Sequence, residues 1–129
     1  MCLFQDAPII SCYTRAQAID DGTLVAVPEK IAREAGFKFP IAMTSTVFGR
    51  CVEVPEGVAC QDESGRLWDV LWMLRCAIRG AGSIDRIPFA VHVRNDNRDR
   101  TPPLVKLVAH CGPGDDAEPV ITIMFPGED

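Results

Sequence analysis

At 129 residues and 47% hydrophobic content, the chain has the size and apolar surface of one domain with its own core, so a single domain over residues 1–129 is expected. Its formal charge of −5 is unevenly placed: from Cys111 onward stand Asp115, Asp116, Glu118, Glu128 and Asp129 with no base, while the preceding 13 acids match 13 bases. A nucleic-acid binder normally carries an unopposed basic patch, so that balance makes direct nucleic-acid binding an unexpected role, and no apolar run approaches the ~20 residues of a membrane span.

In chain order, residues 6–14 read as an irregular lead-in ending at Thr14, whose hydroxyl suits a helix N-cap. A helix over 15–21 follows and stops at Gly22. The apolar, β-branched run 24–27 suits a short strand, after which Pro28 fits a first helical position and 29–35 continues to Gly36. Residues 39–43 look extended, and Thr44 can cap a third helix that places Val47, Phe48, Cys51 and Val52 on one face.

Residues 53–64, with Pro55, Gly57 and several charges, read as a loop. The strongest element spans 66–79, where Leu67, Leu71, Leu74 and Ile78 keep helical spacing and Val70 and Ala77 widen the stripe; the run 80–82, with Gly80 and Gly82, ends it. Beyond Ser83 the period becomes two. Ile87, Phe89, Val91 and Val93 alternate with Pro88, Ala90 and His92, and 104–111 and 120–125 form two further apolar runs. Polar, turn-rich connectors at 94–103 and 112–119 favour antiparallel neighbours. The expected class is α+β: N-terminal helices and one long amphipathic helix packed on a mainly antiparallel sheet of at least three C-terminal strands.

At 100° per residue, Trp68, Trp72, Arg75 and Arg79 form a stripe beside the apolar face of the long helix. Trp and Arg are enriched at binding hot spots, because each joins large contact area to a polar handle, so this stripe is the expected protein-binding surface. The plainer reading is that the indoles widen the core, with Arg75 and Arg79 over them in cation–π contact.

Asp115, Asp116 and Glu118 sit in a Gly- and Pro-bounded turn that offers oxygen ligands to a divalent metal, but their spacing matches no defined metal loop and also suits a solvated hairpin. A cysteine–histidine site would need His92 or His110; His110 and Cys111 are strand neighbours that face opposite ways. Arg94, Arg98 and Arg100, with Asn95 and Asn97, make a loop tip for phosphate contacts, largely neutralised by Asp96 and Asp99, so direct nucleic-acid binding is not expected. Cys2, Cys12, Cys51, Cys60, Cys76 and Cys111 include no pair at the zinc-chelating spacing. Without a basic, apolar leader in 1–14, they read as reduced thiols of a cytoplasmic protein. No cofactor is expected.

Three stretches carry a resemblance: 13–19 (Tyr-Thr-Arg-Ala-Gln-Ala-Ile) with Asp21 and Gly22, 65–73 (Gly-Arg-Leu-Trp-Asp-Val-Leu-Trp-Met), and 111–124 with its Cys-Gly-Pro-Gly-Asp-Asp start. Together they resemble a family of short uncharacterised bacterial proteins, a domain of unknown function frequently encoded on plasmids and other mobile elements. The resemblance implies no catalytic residues. It implies a setting in which small acidic proteins act against host defences by occupying a restriction or CRISPR effector; the neutral body argues against wholesale DNA mimicry. The expectation is a non-enzymatic protein-binding module, with a small metal-dependent or Cys/His enzyme and a homodimeric accessory protein as alternatives.

Overall fold

A computed structural model describes residues 14–58, 62–81, 85–95, 97 and 101–128. The lead-in before Thr14 and the loop residues Arg98 and Arg100 lie outside them. Ten elements follow in order: α1 (Arg15–Asp20), β1 (Leu24–Ala26), α2 (Glu29–Glu34), β2 (Ile41–Thr44), α3 (Ser45–Val47) running into a π-helical turn (Phe48–Val52), α4 (Glu63–Ala81), β3 (Arg86–His92), β4 (Leu104–Pro113) and β5 (Pro119–Met124).

Local chemistry sets most of these boundaries. Thr14 and Gln17 form a reciprocal capping box at α1: the Thr14 hydroxyl accepts from the Gln17 backbone while the Gln17 amide oxygen accepts from the Thr14 backbone. Thr44 caps α3 in the expected way, accepting from the Val47 N–H. The continuation into a π-turn was not expected; Glu53 N–H donates to the Phe48 carbonyl, the five-residue span that defines it. The long helix starts three residues before the expected Arg66, because the Asp62 carboxylate accepts from the Gly65 N–H and offsets the weak propensity of Ser64 and Gly65.

The strands form one five-stranded sheet in the order β1-β2-β5-β4-β3. β3, β4 and β5 pair antiparallel, as their short connectors imply, and β1 pairs antiparallel with β2. The parallel pair β2–β5, with Ile41 opposite Ile121, joins the N-terminal half to the C-terminal meander. α4 lies across one face. There Leu67, Val70, Leu71 and Leu74 pack with Met43, Ile87, Phe89, Leu107, Ala109, Ile121 and Ile123 in one buried cluster. Full burial of Leu71 and Leu74 contributes about 1.5–3 kcal/mol each in transfer free energy. On the reverse face the alternate residues Ala42, Val108, Val120 and Met124 are buried, as is Ala18 of α1.

β3 is an edge strand, and its open side is blunted. Cys111 donates to the Asp85 carbonyl and Val93 to that of Pro103, so the odd-numbered residues of β3 bond to β4. Arg86, Pro88, Ala90 and His92 therefore turn their backbone groups outward, and Pro88 has no N–H to offer mid-strand. A partner strand added here would lose a central hydrogen bond.

Candidate functional site

α4 divides its circumference between the core and the stripe read from the sequence. Trp68 is half-buried and packs on the core, whereas Trp72 keeps 41% of its surface exposed. The two indoles stack with centroids 6.0 Å apart and planes 14° from parallel. The Arg75 guanidinium lies over the Trp72 ring, its Cζ 5.4 Å from the centroid, and donates through Nη1 to the Ala35 carbonyl at 3.3 Å. Gly36 admits it: φ is +97° there, and a Cβ would stand 2.9 Å from the Arg75 guanidinium. Arg79, one turn on, is exposed. The stripe is thus divided: Trp68 packs on the core, while Trp72 and Arg79 are exposed.

Arg75 and Arg79 also border a groove of about 700 Å³ between the C-terminal half of α4, the 36–39 segment and the ends of β3, β4 and β5. Phe37, Ile78, Ile87, Cys111 and Ile121 supply its apolar walls. Phe39 stands on its rim, 48% exposed. Three cations border it, Lys38, Arg75 and Arg79, against the single carboxylate of Asp85. No carboxylate lies within ion-pairing distance of those three among the described residues. Sequence reasoning missed this groove and Phe39 with it, because segments far apart in the chain compose it.

The other sequence candidates fall apart spatially. Asp115 is committed to α1: its carboxylate accepts from the backbone N–H of Arg15 at 2.8 Å and of Ala16 at 2.9 Å, caps that helix across a hundred residues of chain, and faces the positive end of its dipole. Glu118 accepts from the Asp116 N–H inside the turn. Arg15 fastens α1 to β5 through the Thr122 hydroxyl and the Ile121 carbonyl. No group of three or more His, Cys, Asp or Glu side chains gathers as a metal cluster among the described residues.

The two backbone N–H bonds, with Arg15 nearby, hold the Asp115 carboxyl below its ordinary pKa. A depressed carboxylate pKa stabilises the fold above the unfolded-state value, about 3.9, and the gain is lost as pH falls through the folded-state value. Asp115→Asn is therefore expected to lower the melting temperature at neutral pH, with the gap to the wild type closing as acid denaturation is followed below pH ~4.

Cys111 faces the groove, but burial and then Asp85 raise its thiol pKa, which opposes nucleophilic use. His110 points to the reverse face, and His92 Nδ1 is 2.8 Å from the Pro102 carbonyl, so no Cys–His pair forms among the described residues. In the basic loop, the Asn95 amide donates to the Arg50 carbonyl and that of Asn97 to Gly57, fastening the segment to the body.

Arg66 is the residue the sequence reading passed over. It is 5% exposed, and its guanidinium donates to the carbonyls of Cys51, Arg94 and Arg50 and to Asn95 Oδ1. Burial lowers its pKa, yet a guanidinium starts so high that it remains charged. The helical wheel held the clue, since Arg66 lies one turn before Val70 on the core-facing side.

Fold and face together define a small α+β protein with an aromatic and basic surface beside an apolar groove. The chain belongs to the family of unknown function DUF6573, whose model matches residues 1–129. Neither a curated protein nor a solved structure matches it. No helix among the described residues is long and apolar enough to cross a membrane.

Proposed function

We propose that this protein is a non-enzymatic binding module that docks onto a protein partner through the Trp72, Arg75 and Arg79 face of α4. One observation carries the reading: Trp72, stacked on Trp68 and covered by Arg75, keeps 41% of its surface open to solvent although the apolar face of its own helix is buried. A large aromatic held rigid yet exposed loses little conformational freedom on binding, which is how hot-spot residues gain affinity. Pro88 disfavours strand addition at the β3 edge. Weighing against a metal-dependent enzyme is the commitment of Asp115 to α1.

The setting we infer is a bacterial mobile element, with the module acting in the cytoplasm on a restriction or CRISPR effector. Expression in a restricting or CRISPR-proficient host should then raise plasmid transformation, and unchanged interference in every system tried removes that setting. The docking face has its own test. Wild-type chain immobilised in extract of the native host is expected to retain a stoichiometric companion that Trp72→Ala and Arg79→Glu each lose by about tenfold or more, with circular dichroism unchanged. Equal capture by all three forms would refute it. Trp68→Ala is unsuitable, because that ring also packs on the core.

A further inference from the structure

Resting on that docking reading, we infer that the groove beside the tryptophan face takes an acidic, amphipathic peptide segment of the partner, whose apolar side chains enter the cavity while its carboxylates pair with Lys38, Arg75 and Arg79. The charge argument comes first. The chain is acidic overall, yet the groove is bordered by three cations and one acid, and none of the three has a carboxylate partner among the described residues. Guanidinium and ammonium groups held at the edge of an apolar cavity attract a counter-charge more strongly than the same groups in open water, because the low-dielectric wall reduces screening.

Shape selects a peptide over a small anionic amphiphile. The cavity is of ligand size and Phe39 belongs to its lining, but the aromatic surface continues past it through Arg75 to Trp72, which stands outside the lining. A compact ligand filling the cavity would leave Trp72 in water. A chain segment running from the cavity across Arg75 to Trp72 covers both and presents side chains downward and backbone outward. The edge strand β3 reaches the groove at Ile87, with Asp85 just before it, but its outward backbone positions include Pro88, which has no N–H, so the segment binds through side chains.

Fluorescence anisotropy on the full chain tests this with three short labelled probes: a peptide in which Leu and Phe alternate with Glu, its counterpart with Lys for Glu, and its counterpart with Ala for Leu and Phe. The acidic, apolar probe is expected to bind saturably, to weaken as salt rises, and to bind at least about tenfold more tightly than either counterpart. Lys38→Glu with Arg79→Glu should lose that preference for the Glu probe over the Lys probe while circular dichroism stays unchanged. Equal binding of the Glu and Lys probes overturns the inference, as does no binding of the acidic probe, or binding of decanoate alone. Light scattering supplies one more check: a dimer that Arg79→Glu converts to monomer makes a second copy the occupant and also overturns it. Failure of the probes with partner capture still lost in Trp72→Ala would leave the docking reading standing. Probe binding with capture unaffected by Trp72→Ala would sink that reading instead.

Discussion

Arg66→Ala is expected to destabilise the protein by about 3–5 kcal/mol, because it leaves several carbonyls without a donor, at about 1–3 kcal/mol for each that stays buried. The guanidinium makes four hydrogen bonds at 2.7–3.3 Å, and they join three segments distant in sequence: the end of the π-turn, the start of α4 and the strand exit at Arg94 and Asn95. The carbonyls of Arg50 and Cys51 belong to the C-terminal turn of a helix, where the backbone dipole is negative, so a cation is favoured there without any carboxylate. Lysine should not restore the wild type, because one ammonium cannot reproduce a planar fork spanning Cys51 and Arg94. Methionine should fail as well, since the packing would be refilled but the carbonyls left without a donor. Thermal melts of the three variants check this; a melting temperature for Arg66→Met within a few degrees of the wild type would show that water replaces the guanidinium.

Leu71→Ala is expected to cost about 3 kcal/mol, a drop of roughly 10 °C in melting temperature, whereas Trp72→Ala should cost under about 1 kcal/mol. The two residues are adjacent in sequence and 100° apart around α4. Leu71 is fully enclosed by the sheet, so its truncation leaves a cavity lined by residues that relax only in part. Trp72 loses a stacking contact with Trp68 and its cation–π contact with Arg75, both partly solvated. Denaturant titration of both variants measures the contrast. A loss at Trp72 as large as that at Leu71 would mean that the indole is needed for the fold, and would leave partner binding without its carrying observation.

The sequence by itself determined the elements and the side each one buries. Helical spacing from Leu67 to Ile78 identified the buried stripe of α4, and period two from Ile87 to Val93 identified the face of β3 that meets it. Thr14 and Thr44 announced the helices they cap, and the Trp–Arg stripe was legible as a stripe. These are local signals, because periodicity, capping and turn chemistry act over a few residues and are written in the order of the chain. Whether Trp68 or Trp72 would face outward was not legible, since both lie on the flank of the apolar face and only the position of α2 and the 36–39 segment separates them.

Tertiary closure decided the rest. The parallel pairing of β2 with β5 brings together Ile41 and Ile121, eighty residues apart, and with it aligns the ends of the strands that wall the groove. The same closure sends Asp115 to the N–H groups of α1, turning a carboxylate that looked like a metal ligand into a helix cap. It also buries Arg66 among carbonyls from segments that carry no matching sequence signal. Each of these depends on which backbone donors and acceptors remain unpaired once the sheet has formed, a property of the assembled chain that no window of neighbouring residues contains.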